Sequence, residues 1–215
     1  TGPFTPALHR PRCEVHRLGH TTQRGKSTRC KQSTPSQRSA AQGSSPRFAH
    51  TQMPAFTPLA KKIDPLKCMG DWYVQSGVAV LGSEKTGHNH LEQYAWDAAT
   101  ERVAVSYSFN EQTPTGKVNA STQIGRVKPG DANGTHWQVK PLIGWVRVPV
   151  WLDYYIVDVD TEDYSWIIAA APSGWWIYIM TREKVVGDAA LAPHLEFLKS
   201  KGVNLSKVTR FNQGQ

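Results

Sequence analysis

Between residues 70 and 181 the chain is divided into eight short strand-like segments, and this pattern leaves few folds open. The segments are 71–80, 88–96, 102–109, 117–127, 135–142, 151–159, 165–171 and 175–181. In the third, Val103, Val105, Tyr107 and Phe109 alternate with Ala104, Ser106 and Ser108. In the fourth, Val118, Ala120, Thr122 and Ile124 alternate with Lys117, Asn119, Ser121 and Gln123. A period of two marks strands with one covered face. The connectors carry turn chemistry: Asp97 to Thr100, Pro114-Thr115-Gly116, Pro129 to Gly134, and Pro172-Ser173-Gly174. Eight closely spaced strands with short turns predict an all-β antiparallel domain, an up-and-down barrel or a sandwich.

One helix follows. Asp188 is its predicted N-cap, Leu191, Leu195 and Leu198 share a face, and Gly202 ends it. A short ninth strand is predicted over 207–211.

Charge divides the chain differently. Residues 1–52 hold nine Lys+Arg and one acid, whereas residues 53–215 hold sixteen of each sign. The net charge of +8 therefore belongs to the N-terminal segment. Nucleic-acid binding by the folded part is not expected. Residues 1–58 show neither strand nor helix period, and their few large apolar residues cannot offset ordering entropy. We read them as a basic, Arg/Ser/Thr-rich extension preceding a domain over 59–215. Such an acid-poor segment resembles a mitochondrial or chloroplast targeting region, so an organellar, membrane-associated location is the expectation. Because the chain starts at Thr1 and not Met, the expectation is that something upstream is missing: either the chain is a fragment of a precursor, or a presequence has been cleaved and the basic segment belongs to the mature protein. No run reaches the roughly 18 apolar residues of a membrane-spanning helix. Cys13, Cys30 and Cys68 are odd in number, and Cys68 is expected as a free thiol.

Gly70-Asp71-Trp72-Tyr73 opens the first strand, Asp153-Tyr154-Tyr155 lies in the sixth, and Thr181-Arg182 ends the eighth. In these three motifs, in this order, the chain resembles the lipocalin family over residues 64–212. The cadence of residues 154–182 resembles bacterial-type and apolipoprotein-D-like members. Leu152 stands where the family has Thr before the second motif. The resemblance implies an eight-stranded up-and-down β-barrel with one C-terminal helix and a ninth strand. It implies that Trp72 caps the closed end, that Gly70 lets the chain turn into it, and that Arg182 lies over the indole as a cation–π pair. Asp153 and Tyr154 complete the structural motif.

A barrel of eight strands holds one small ligand or only its own side chains. Tyr94, Trp96, Tyr107, Trp137, Tyr155, Trp166, Trp176 and Tyr178 are the candidate interior ligand contacts. Trp145, Val148 and Trp151 form a bulky stretch at the expected mouth, a candidate membrane or partner contact. His88 and His90 are expected on one side of a solvated strand start, and no metal site is expected. Asp158, Asp160, Glu162 and Asp163 read as a solvated hairpin tip. No nucleophile constellation or phosphate-cradling glycine loop appears, so neither catalysis nor a cofactor is implied. The expected function is binding or transport of a small hydrophobic ligand: fatty acid, lysolipid, sterol or carotenoid-like. The other reading is a non-catalytic accessory subunit of a large organellar complex, respiratory, photosynthetic or ribosomal, tethered by the basic segment.

Overall fold

The computed structural model describes residues 55–143 and 146–214. The strands are β1 (Gly70–Val78), β2 (His88–Asp97), β3 (Arg102–Asn110), β4 (Val118–Val127), β5 (His136–Ile143), β6 (Val146–Arg147), β7 (Leu152–Val159), β8 (Trp166–Ala170), β9 (Ile177–Thr181) and β10 (Thr209–Arg210), with one helix, α1 (Asp188–Ser200). Successive long strands pair antiparallel in the order β1-β2-β3-β4-β5-β7-β8-β9, and β9 returns to β1. That closure makes an eight-stranded barrel and removes the free sheet edges that an open sheet would expose. β6 is a two-residue hairpin partner of β5, and β10 is the extra strand on β1.

Alternation assigns the faces. Val103, Val105, Tyr107 and Phe109 of β3 point inward and are buried, and the residues between them are more exposed. Strands β8 and β9 break the pattern because both of their faces are covered. Their inner residues Ile167, Ala169, Tyr178 and Met180 join the barrel core. Their outer residues Ile168, Ala170, Ile177 and Ile179 pack in a second cluster with Leu191 and Leu198 of α1. A strand buried on both faces loses the polar half of its code.

Three irregularities shape the wall. The register shifts between Val74 and Ser76 against β9, between Ile156 and Asp158 against β8, and between His88 and Leu91 against β3. β1 pairs with β2 only over Gly70–Tyr73. Further along, the C-terminal segment takes that place, with Ser76 opposite Arg210 and Gly77 opposite Thr209. Bulges of this kind bend strands and re-aim side chains.

The helix differs from expectation at its start. Gly187, not Asp188, is the N-cap, and Asp188 is the first helical residue, where its charge suits the dipole. Gly202 ends the helix at φ +84°, a conformation in which glycine carries no Cβ penalty. The expected boundary at 58/59 falls within chain that lies on the barrel. Phe56 is buried, its N–H bonds the Pro172 carbonyl at 2.8 Å, and Leu59 N–H bonds Ile156 at 2.9 Å.

Candidate ligand site

The closed end is built around Trp72. Its ring is fully buried, and its indole N–H donates to the Cys68 carbonyl at 2.7 Å. The Arg182 guanidinium lies 3.7 Å from the ring centroid. It also donates to the carbonyls of Asp71 (2.8 Å), Lys67 (2.9 Å), Met69 (2.8 Å) and Tyr164 (3.4 Å). Gly70 sits at φ +98°, and a Cβ there would come within 3.3 Å of Arg182. Cys68 is a free, buried thiol, pushed up to about 12 by burial, so it is a packing group rather than a nucleophile.

Aromatic rings line the barrel above this floor. Tyr94 and Tyr154 meet through their hydroxyls at 2.5 Å. Trp137 packs edge-on to Tyr94, Tyr154 packs on Trp176 at 4.8 Å, and Tyr107 stacks on Tyr178 at 5.6 Å. Tyr94, Tyr107, Trp137, Trp176 and Tyr178 thus line the interior. Three other candidates lie elsewhere. Trp96 is exposed at the floor end of β2. Tyr155 faces outward against His136, because Tyr154 takes the inward phase. Trp166 packs on His194 of α1, outside the wall.

Polar residues share the interior with these rings. His90, Glu92 and Tyr94 have the same phase on β2 and are all buried. Burial pushes Glu92 up to about 8, reinforced by the neighbouring charge of Glu84 and opposed by a hydrogen bond from Tyr94. Burial likewise drives His90 down to about 4. His90 Nδ1 lies 2.8 Å from the Tyr107 hydroxyl, and its ring stacks on Phe109. Glu84, from the β1–β2 connection, is buried at the mouth. It accepts from Val80 N–H at 2.8 Å and from the Tyr178 hydroxyl at 3.5 Å. Gln213 closes the seam where β1 and β2 part, donating to the carbonyls of Val74 (2.8 Å) and His90 (2.7 Å).

Five buried side-chain atoms have no hydrogen-bond partner among the described residues: His88 Nδ1, Asn89 Oδ1, His90 Nε2, Glu92 Oε2 and Gln213 Oε1. All belong to the start of β2 and the segment that abuts it. A native interior satisfies nearly all such groups, so a cluster of exceptions needs a reason. The expectation of a solvated His88–His90 pair is corrected here. His90 points into the barrel because it shares the phase of Glu92 and Tyr94, while the strand is irregular just before it, with Asn89 at φ +56°. Glu84, Glu92 and Gln213 were not among the sequence candidates. Glu92 was findable, because it shares its phase with Tyr94.

The mouth stretch is also rearranged. Trp151 does not project from the rim. It lies along the outer wall under Arg126 (4.0 Å to the ring centroid), with Lys140 at 4.8 Å and Arg102 at 5.8 Å. Val148 is half-buried, and its N–H bonds Pro141. Trp145 lies outside the described residues. Asp153 faces outward, where His136 (2.8 Å) and Gln138 (3.2 Å) hydrogen-bond it. Burial alone would raise its pKa, but these donors bring it below the ordinary value. At the β7–β8 turn, Asp160 accepts from Glu162 N–H, Asp163 N–H and the Ser165 hydroxyl. No cluster of three metal-ligating side chains occurs among the described residues. Two grooves of about 330 and 340 Å³ lie outside the barrel beside α1 and the C-terminal segment.

A barrel closed by an Arg-capped tryptophan, flanked by one helix and a ninth strand, is lipocalin architecture. The chain belongs to that family: the lipocalin-like domain model matches residues 63–213, well over half its length. Insecticyanin from the tobacco hornworm Manduca sexta is similar at a TM-score of 0.55 and 16% identity, covering 74% of this chain and 85% of that one. Lobster apocrustacyanin A1 is similar at 0.52 and 12%, covering 75% and 92%. The cockroach allergen Per a 4 is similar at 0.51 and 15%, covering 75% and 96%. At these identities the likeness shows the fold alone. No curated protein matches the sequence significantly.

Proposed function

We propose that this protein binds one small, mainly apolar molecule inside its barrel. The molecule carries a neutral hydroxyl head that reaches Glu92. The observation that carries this reading is the unpartnered oxygen of a carboxyl group that is 2% exposed and sits among tyrosines. A buried polar atom left unpaired costs about 1–3 kcal/mol, and a ligand hydroxyl would recover it. With its pKa near 8, Glu92 is mostly protonated at neutral pH and can donate to such a head. A hydroxyl both donates and accepts, so it suits either form of the acid. A fatty-acid carboxylate would face two buried acids, Glu84 and Glu92. Entry requires the 79–87 connection to swing out, releasing the long Tyr178–Glu84 contact. Lipocalins are in general binding and transport proteins, which favours this reading over catalysis.

The bacterial-type or apolipoprotein-D-like subtype, an organellar destination and a tethering role for residues 1–52 also belong to this proposal. They are supported by motif cadence and composition. The test is tryptophan fluorescence titrated with a sterol, a long-chain alcohol, a carotenoid alcohol, a lysolipid and a fatty acid. We expect saturable changes with the hydroxyl-bearing members, the weakest response with the fatty acid, and loss of response in Glu92→Leu but not Glu92→Gln. A well-folded sample that responds to none of them overturns the reading.

A further inference from the structure

Among the described residues, seven of the ten exposed large apolar residues lie at one end of the barrel; Leu66, Trp96 and Val185 lie elsewhere. Val80 (47% exposed) and Leu81 (52%) come from the β1–β2 connection, and Val118 (61%) from the first residue of β4. Val146 (49%) and Val150 (56%) come from the β5–β7 connection, and Trp175 (52%) from the β8–β9 turn. Antiparallel pairing brings these four sites together at the open end, because β1 finishes there as β2, β4, β7 and β9 begin. Scattered exposed apolar residues need no explanation, but a ring of them on every loop of one rim does.

Charge differs slightly along the same axis. By sequence, the mouth loops 79–87, 111–117, 144–151 and 171–176 hold Lys85, Lys117 and Arg147 against Glu84 and Glu111, a net of +1. Glu84 is buried, and Glu111 is half-buried beside the Asn119 amide. The floor loops 98–101, 128–135 and 160–165 hold Lys128 against Glu101, Asp131, Asp160, Glu162 and Asp163, a net of −4, and Lys61, Lys62, Lys67 and Arg182 against Asp64 at the same end bring it to −1. With Glu84 buried, the exposed charge of the mouth is chiefly that of Lys85 and Lys117, which an anionic plane would accept.

We infer that the rim is a lipid-docking surface that seats the barrel mouth-down on a bilayer with anionic headgroups. Leu81, Val118, Val150 and Trp175 enter the interfacial layer, where tryptophan is favoured because its ring is apolar and its N–H stays wet. Lys85 and Lys117 meet the headgroups. The inference rests on the rim alone and holds whether or not the barrel takes a ligand.

The test uses the full chain and vesicles of phosphatidylcholine, with and without phosphatidylglycerol, including a phosphatidylcholine brominated along its acyl chains. Wild type is expected to sediment with vesicles, more strongly with phosphatidylglycerol, and its tryptophan emission to be quenched by the brominated lipid. Leu81→Ser combined with Trp175→Ser weakens binding by about tenfold or more. Trp175→Phe keeps binding but loses most of the quenching. Trp96→Ser, an exposed tryptophan at the opposite end, changes neither. The basic N-terminal segment could by itself draw the chain to anionic vesicles, and the quenching separates the two. Binding without quenching, or quenching that survives Trp175→Phe, overturns the inference. So does equal weakening by the Trp96 variant. A dimer in solution that the double substitution converts to monomer, without effect on vesicles, would assign the rim to a second copy of the chain instead.

Discussion

The two ends of this barrel treat their polar atoms in opposite ways. At the floor, the indole N–H of Trp72 and the guanidinium of Arg182 all find carbonyl acceptors, and the rings and charges stack at 3.7 Å. Above it, along β2 and the segment that abuts it, five side-chain atoms are buried without partners among the described residues, and a carboxyl group and an imidazole are forced towards their neutral forms. The same fold therefore contains a satisfied end that stabilises and an unsatisfied end that costs stability. Proteins keep such costs where function needs them.

The strongest way to break this comparison is at the floor. Trp72→Ala empties a fully buried indole site and should destabilise by about 3–5 kcal/mol. Arg182→Ala leaves four carbonyls short of a charged donor and should cost about 2–4 kcal/mol. In a double-mutant cycle followed by urea unfolding, the pair should couple by about 1–2 kcal/mol. Additive effects would show that the stacking contributes nothing and that the floor is not a single unit.

The region above the floor should reveal itself through pH. Glu92 has a folded pKa near 8, above the unfolded value of 4.5, so the native state binds more protons between them and loses stability as pH rises through that window. His90 has the opposite sign. Its folded pKa near 4 lies below the unfolded 6.5, so stability rises with pH between those values. The two slopes oppose each other up to about pH 6.5, and above it Glu92 acts alone. Stability should be nearly flat between about pH 4.5 and 6.5 and then fall by up to ~1.4 kcal/mol per pH unit towards pH 8. Glu92→Gln should abolish that fall and stabilise the protein at pH 8 by about 2 kcal/mol. Chemical denaturation at a series of pH values checks this, and a flat wild-type profile above pH 6.5 would show that Glu92 is solvated.

The floor was legible in the sequence because its residues have fixed roles: a glycine at positive φ, a tryptophan at a strand start, an arginine at a strand end. The region above it was harder to read because polar residues in a strand look solvent-facing, and β2 hides two of them inside. Tyr154-Tyr155 offers aromatics in both phases, so alternation could not say which one faces inward. Trp166 looked internal because α1 covers the outer face of β8, which leaves that strand apolar on both sides. The positive φ at Asn89, where β2 departs from regular pairing, has no signal beyond the residue's tolerance of that conformation. The contact between Gln213 and the seam joins residues more than a hundred positions apart, which no local pattern can show.

The smallest expected effect compares the floor with a partial copy of it on the wall. Trp151 lies under Arg126 at 4.0 Å, nearly the distance at which Arg182 covers Trp72. The differences are burial and partners. Both members of the wall pair are half-exposed, and among the described residues Arg126 otherwise bonds only the Gln138 side chain, at 2.8 and 3.1 Å. Water screens such a pair, so Arg126→Ala should cost only about 0.5–1 kcal/mol. Lys140 and Arg102, also near the ring, should take up part of the loss. Urea unfolding of Arg126→Ala beside Arg182→Ala makes the comparison direct. If the two cost the same, stacking alone sets the value of the floor, and its saturated hydrogen bonding is not what separates it from the rest of the barrel.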